Sequence, residues 1–346
     1  MVIYHIIYIL QIFFIYNRKK SIFWSFVILF WIMSFVRWEV GTDWESYYNY
    51  FVFGSKSGYV FEKGFEFINI VIRLGTDNYT ILLFLLSIPV FLLKYYTIYR
   101  YSHLPILTLL ANYSLYRGNI FFVRQDIAGA ICFFSLKYII EKRKIKFLIL
   151  IIIAMLFHKS SVIFIFAYLI YHLNLTKKKM MIILLISLIF SNSIIELINF
   201  ISLKLNFWEV NYYLSNLNNN FGYEGTFSKQ LSIYLNTIIK LMILGVILLF
   251  HKLEEDSFLK GIFNLNFLGT ILYIIFSSIS LTLARFAYYY ELFQIFLYFY
   301  IVFFVKNKYI QLIFLFVIIV YLFIKLNTGI NIYYESYVPY KTIFLK

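Results

Sequence analysis

One apolar run follows another along almost the whole chain, and only short breaks rich in lysine and arginine separate them. A water-soluble fold of this size would leave much of that apolar surface facing water, and lipid is the solvent that removes the conflict. The composition agrees: 62% of the 346 residues are hydrophobic and 14% are charged, against about a quarter charged in soluble domains. No long polar linker divides the runs. Residues 1–346 therefore read as a single membrane domain, an all-α polytopic protein with the lipid bilayer as its principal partner.

The first run starts at Val2 and ends at Asn17-Arg18-Lys19-Lys20 with no small-residue cleavage site, so it reads as a first span rather than a signal peptide. The net charge of +15 is gathered in short loops, the pattern of a topology signal and not of nucleic-acid binding. The densest cationic loops are Arg18-Lys19-Lys20, Lys142-Arg143-Lys144 with Lys146, and Lys177-Lys178-Lys179; Lys252 to Lys260 and Lys306 with Lys308 are weaker. The positive-inside rule places all five in the cytoplasm, and an even number of spans must separate each pair.

Spans at 21–36, 79–99, 103–117, 119–140, 179–199, 231–250, 261–283, 286–304 and 309–326 satisfy that parity. The stretch 146–173 is interrupted at His158-Lys159-Ser160-Ser161. Each half, of about 13 residues, makes only about 20 Å of helix, so it reads as a hairpin with His158 at its outer tip. The expectation is about twelve transmembrane helices, some short or re-entrant, with both termini outside. Glu62 to Asp77 carries Glu66 and Arg73 among apolar residues and reads as a helix on the outer face. The long polar loops, about 37–78 including that helix and 200–230, also fall outside. Of the 16 acidic residues, only Glu141 and the cluster Glu254, Glu255 and Asp256 fall clearly inside. Any chemistry faces the extracytoplasmic side.

A charge at membrane depth costs roughly 2.5–3.5 kcal/mol on insertion scales, so each one asks for a partner or a task. Four outer groups stand out. In Arg37 to Tyr48, Arg37, Asp43 and Glu45 lie among aromatics, including Trp44 and Tyr47, that suit sugar faces. Asp43 and Glu45 could bind a metal or share acid–base work; an interfacial loop with Trp anchors is the plain alternative. Arg117 and Arg124 flank the start of the 119–140 span, with Arg124 about one and a half turns in and Gly118 breaking the helix between them. Paired guanidinium groups at a helix N-terminus suit a diphosphate; an internal pair of Arg124 with Asp126 or a glutamate is the alternative. His158 could serve as a base or phosphate ligand, or as a structural hydrogen-bonder. Arg285, Tyr288 and Tyr289 share a face at i, i+3, i+4 spacing, fitting an anionic headgroup or an interfacial anchor. Trp208 and its tyrosine neighbours give the 200–230 loop a sugar-stacking surface.

The sequence carries no glycine-rich phosphate loop, HExxH, GxSxG or His/Cys metal cluster. Its one cysteine, Cys132, lies in an apolar run and excludes a disulfide framework. Arginines, one histidine and a few carboxylates at one face suit an anionic, lipid-linked substrate and call for no cofactor or metal.

These residues resemble the EpsG family of bacterial membrane proteins, related to the Wzy-type polysaccharide polymerases. The likeness is carried by Arg37 to Tyr48 (RWEVGTDWESYY), Glu62-Lys63-Gly64-Phe65-Glu66, Val123 to Ala128 (VRQDIA), Ala154 to Ser161 (AMLFHKSS), Arg285 to Tyr290 and Tyr337-Val338-Pro339-Tyr340. The resemblance implies a GT-C-like fold in the bacterial cytoplasmic (inner) membrane. Such a protein joins oligosaccharide repeat units carried on undecaprenyl diphosphate at the extracytoplasmic face, for O-antigen, capsule or exopolysaccharide, with a chain-length regulator as a further partner. It implies diphosphate binding by Arg124, Arg285 and either Arg37 or Arg117, and a base at His158 or Asp43. Lys159 departs from the small or polar residue expected after the histidine, which puts the local pocket in doubt.

Three other activities fit the same residues less closely. They are a metal-dependent GT-C glycosyltransferase using a polyprenyl-phosphate sugar, with Asp43 and Glu45 on the metal; a flippase for lipid-linked oligosaccharides; and an acyltransferase acting on surface sugars.

Overall fold

With no water in the hydrocarbon to satisfy the backbone, apolar runs of this kind must close their hydrogen bonds within each segment, and helices do so. A computed structural model describes residues 1–189, 227–251, 253–279, 283–303 and 305–345, and among them there is no strand. Among the described residues four helices are long and apolar enough to cross a bilayer: Tyr79–Tyr101, Leu231–Phe250, Ser257–Ser277 and Lys308–Asn331. Their 20 to 24 residues amount to roughly 30–36 Å. The chain is a membrane protein. Other expected crossings fall on shorter helices, among them Val2–Phe13, Lys20–Val36, Pro105–Tyr116 and Arg124–Ile140.

Local signals fix where several helices begin and bend. Asn78 accepts from the Thr80 N–H, and Asn307 from the N–H groups of Tyr309 and Ile310; each caps the helix that follows. Pro105 opens its helix at a position where no N–H is needed. Pro89 lies inside the Tyr79–Tyr101 helix, and a π-turn over Val90–Lys94 follows it, the usual local adjustment to a missing N–H.

The chain divides into two compact units, Met1–Tyr168 with Ile295–Lys346, and Leu169–Gln294. In the first, Pro105–Tyr116 and Arg124–Ile140 form the interior: Leu107, Leu110, Ala128, Cys132 and Phe133 are all fully enclosed. Lys308–Asn331 packs on Pro105–Tyr116 and turns Phe316, Val317 and Ile324 outward, more than half exposed. Apolar side chains outside a packed core mark a lipid-facing surface. The Lys63–Gly75 helix does the same with Phe67, Ile70, Val71 and Leu74, spaced as one stripe, while Phe65, Asn69 and Ile72 turn inward. A helix is expected at this place, and its two faces are the ones that the spacing predicts.

In the second unit Ser257–Ile279 is central. Asp256 Oδ1 caps it through the N–H groups of Phe258 and Leu259, and Asn264 Nδ2 donates to the carbonyl of Leu173 at 2.9 Å. Lys240 pairs with Glu291 at 2.8 Å. The single span expected at 286–304 is instead broken into Leu283–Phe286, Tyr288–Glu291 and Gln294–Phe303. Positions 190–199 of the 179–199 span, and the 200–230 loop as far as 226 with Trp208, lie outside the described residues; 227–230 already belong to the Phe227–Phe250 helix.

Candidate functional site

The segment Arg117–Arg124 gathers three guanidinium groups. The helix before it ends where Arg117, Gly118 and Asn119 take positive φ values of 52°, 60° and 56° in succession. Such backbone is routine for glycine and tolerable for asparagine, but costly for arginine. What holds it is a buried chain of hydrogen bonds. Lys94, fully enclosed, donates to Asn119 Oδ1 at 2.8 Å; Asn119 donates to Asp126 Oδ1 at 2.9 Å; and Asp126 Oδ2 accepts from the Val123 N–H at 3.0 Å. Tyr95 donates to the Gly118 carbonyl at 2.6 Å.

Asp126 thus closes the start of the next helix, and Tyr47 completes the closure by accepting from the Arg124 N–H at 2.9 Å. Those two N–H groups are not offered to a phosphate. Arg124 is the first residue of Arg124–Ile140 and not one and a half turns in, because Val123 is extended and the helix starts after it. Its guanidinium lies over the Phe61 ring, 4.3 Å from the centroid, and pairs with Glu62. Of the two pairings open to Arg124 from the sequence, the one with a glutamate is realised.

Arg37 ends the Lys20–Val36 helix, 2% exposed. It donates to the Phe122 carbonyl at 3.1 Å and stands over the Phe122 ring. Gly41, at φ +116°, leaves room for it: a Cβ there would come within 2.9 Å of Nη1. Burial lowers the Arg37 pKa, and nearby tyrosines act against that shift. Arg37 is therefore a buried brace, out of reach of a bulky substrate. Arg117 is half-buried over the Tyr337 ring, 5.3 Å from the centroid. Its Nε is buried without an acceptor. Among the described residues neither Arg37 nor Arg117 pairs with a carboxylate.

Asp43 precedes the Trp44–Phe53 helix and accepts from the Tyr47 hydroxyl at 3.1 Å. Burial, and then the Asp43 charge, push the Tyr47 pKa up, so Tyr47 stays a neutral donor. The two carboxylates expected to act together separate: Asp43 turns toward Tyr47 and Glu45 is exposed. Trp44 and Tyr47 are both buried; Trp44 stacks on Tyr48 at 4.9 Å, and Tyr47 packs on Phe65.

His158 lies at the turn of a hairpin formed by Lys144–Met155 and the 3-10 segment Lys159–Phe166, where Phe147 packs on Phe164. Its Nδ1 shares a hydrogen bond with Ser160 Oγ at 2.6 Å. The Glu62 carboxylate meets this hairpin too, accepting from the Lys159 N–H at 3.4 Å. Gly64 locks the contact: its N–H donates to the Leu156 carbonyl at 2.8 Å, and a Cβ would approach that oxygen to 2.7 Å.

Asp43, Tyr47, Glu62, Arg124 and the His158 turn are thus one connected set; Arg117 lies on the loop that leads to Arg124, and Arg37 braces that loop through Phe122. Arg285 belongs to the second unit, exposed on the 3-10 turn Leu283–Phe286, while Tyr288 and Tyr289 sit on the next short helix with Tyr289 enclosed. The single helical face expected for the three is not formed.

The family model for EpsG matches residues 22–342, a range that contains every residue of this set. The chain belongs to the EpsG family. Membership places it among membrane proteins of polysaccharide biosynthesis, and four of the EpsG-like segments quoted from the sequence, those with Tyr47, Glu62, Arg124 and His158, meet around Arg124. No curated relative and no solved structure matches the chain.

Two residues central to this EpsG site were not singled out as chemical groups. Glu62 heads a quoted segment but has no neighbour in sequence that betrays its partner. Lys94 did leave a signal, a lone cation between Leu93 and Tyr95 within an apolar stretch.

Proposed function

We propose that this protein polymerises oligosaccharide repeat units carried on undecaprenyl diphosphate, at the extracytoplasmic face of the bacterial cytoplasmic membrane. On this reading about twelve crossings in a GT-C-like arrangement set the site at the ends of the helices opposite the cationic loops, and a chain-length regulator is its partner. The donor is the growing chain, cleaved at its sugar–phosphate bond. The acceptor is a sugar hydroxyl of a new lipid-linked repeat unit.

The observation that carries the proposal is Arg117, which has no carboxylate partner among the described residues and lies on the same segment as Arg124, whose ion pair is with Glu62; Asp126 and Asp43 are engaged by Asn119 and Tyr47. An uncompensated cation this costly favours an anionic ligand, and arginine matches a diphosphate in shape as well as charge. Arg117 and Arg124 hold the diphosphate and offset the charge that develops on it as it leaves. Arg37 supports the loop from beneath. A side chain beside Arg124 takes the acceptor proton; Asp43 and His158 are the candidates read from the sequence. Every residue named for these steps lies in the first compact unit.

The test is the glycolipid profile of a deletion strain complemented with the wild type, Arg117→Ala or Arg124→Ala. The wild type restores long chains, whereas each variant, present in the membrane at normal level, leaves single repeats on lipid. Long chains at wild-type abundance from both variants exclude this role for the arginines.

A further inference from the structure

Glu62 is the one carboxylate among the described residues that touches a site arginine. It precedes the Lys63–Gly75 helix, and its side chain is 13% exposed. Oε2 accepts from Arg124 Nη1, while Oε1 faces the Lys159 N–H at 3.4 Å. The carboxylate is therefore held between the cation and the turn that carries His158. Its position is set by backbone on both sides, because Gly64 is docked on Leu156 two residues later.

Arg124 still has donor capacity in this state. One nitrogen is engaged by Glu62, and Nε is buried with no acceptor. A diphosphate offers more charge and more acceptor oxygens than one carboxylate oxygen, so it competes successfully for the guanidinium. When it does, the displaced oxygen is left beside the bound donor with no cation on it.

The sequence-derived candidates are less well placed. His158 bonds through Nδ1 to Ser160 within its own turn, whereas the Glu62 carboxylate is the group in contact with Arg124. Asp43 is occupied by Tyr47, which stands between it and Arg124.

We infer that Glu62 is the general base of the transfer, held inactive by Arg124 until the donor diphosphate displaces it. The inference rests on the polymerase reading above. In the step, the acceptor oxygen bonds to the anomeric carbon of the donor sugar and its proton passes to the Glu62 carboxylate. The bond from that carbon to the diphosphate oxygen breaks, and its electron pair leaves with the diphosphate, which stays on Arg124. Glu62 returns the proton to water as the lipid diphosphate departs, and its carboxylate closes again on the guanidinium.

The test uses the purified full-length protein in lipid nanodiscs, as wild type, Glu62→Gln and Glu62→Asp. Undecaprenyl diphosphate is the binding probe, and glycolipid from the deletion strain supplies single repeats for turnover. Glu62→Gln is expected to bind the probe at least as tightly as the wild type, since the competing charge is gone. Its turnover is expected to fall by about 10²–10⁴-fold, with loss of the acidic limb of the pH–rate profile. Glu62→Asp, one methylene shorter, is expected to keep that limb at a reduced rate, and it decides the matter if the glutamine variant does not fold. Turnover within threefold of wild type in Glu62→Gln, or an unchanged rate in Glu62→Asp, overturns the inference. So does joint loss of binding and turnover in both variants, which makes Glu62 only a brace for Arg124. A wild-type protein that neither binds the probe nor extends the glycolipid refutes the polymerase reading instead, whatever the variants do.

Discussion

Arg124 and Glu62 stand 62 positions apart in the sequence and form an ion pair, Nη1 to Oε2, with their side chains 21% and 13% exposed. The pair joins the start of the Arg124–Ile140 helix to the start of Lys63–Gly75, and through the Lys159 N–H to the His158 hairpin. Three separate stretches of chain thereby share one charged contact.

Partly buried pairs fall between exposed ones, worth at most about 1 kcal/mol, and enclosed ones, where loss of one partner costs about 3–5 kcal/mol. A double-mutant cycle of Glu62→Gln and Arg124→Gln, read by thermal unfolding in detergent, is expected to give a coupling of about 1–3 kcal/mol. Additive effects would mean the pair contributes nothing to folding.

Gly64→Ala places a methyl 2.7 Å from the Leu156 carbonyl oxygen and 2.8 Å from its Cβ. Both are close to backbone, so relief requires moving the hairpin rather than a flexible tip. The expected loss of stability is about 1–3 kcal/mol, with a larger loss of chain elongation because Glu62 and His158 move apart. Unchanged melting and elongation would show that the contact yields easily.

Arg37 and Arg117 are expected to fail in different ways. Arg37→Ala removes a buried donor from the Phe122 carbonyl and opens space beneath Gly41. It should lower the melting temperature and the amount of protein in the membrane. Arg117 donates no side-chain hydrogen bond among the described residues and lies half-buried over Tyr337. Arg117→Ala should melt within a few degrees of wild type yet bind undecaprenyl diphosphate at least tenfold more weakly, the loss of about 1.4 kcal/mol or more. Equal melting losses in both variants would remove the distinction.

Lys94→Met keeps the volume of the side chain but leaves Asn119 Oδ1 without its donor. An unsatisfied buried acceptor costs about 1–3 kcal/mol, and Asn119 then holds Asp126 less firmly. The variant is expected to lose both stability and elongation, measured on the same preparation. Restoration of both by Lys94→Arg is not expected, because the enclosed site is fitted to a single ammonium. Full activity in Lys94→Met would show that the relay to Asp126 is dispensable.

Tyr47→Phe removes the acceptor for the Arg124 N–H and the donor to Asp43 together. Burial, reinforced by Asp43, keeps this phenol neutral into alkaline solution, so wild-type elongation should show no basic limb traceable to Tyr47. A limb present in wild type and absent from Tyr47→Phe would contradict that.

Much of this was readable along the chain. Apolar run length marked the helices at 20–36, 79–101 and 308–331, and the amphipathic stripe of Lys63–Gly75 was visible in its spacing. Gly118 announced the break between Arg117 and Arg124. The errors arose where a local rule met packing. The 286–304 run was apolar enough for one helix but is interrupted near Ala287 and at Leu292-Phe293. Arg285 and Tyr288 therefore do not share the face that i, i+3 spacing assumes. The aromatic faces of Trp44 and Tyr47 looked available for sugars because sequence does not show that neighbouring rings already cover them.

What the sequence by itself determined was the solvent and the secondary structure, because hydropathy and helix-end chemistry depend on each residue and its near neighbours. It also placed costly arginines at the ends of runs, since the expense of burying a guanidinium is a property of the residue. Which carboxylate would answer which arginine was decided only by tertiary structure. That choice depends on which helix packs beside which, a sum of many weak side-chain contacts between segments far apart in the chain. Only once Gly64 is seated on Leu156 does Glu62 reach both Arg124 and the turn at His158.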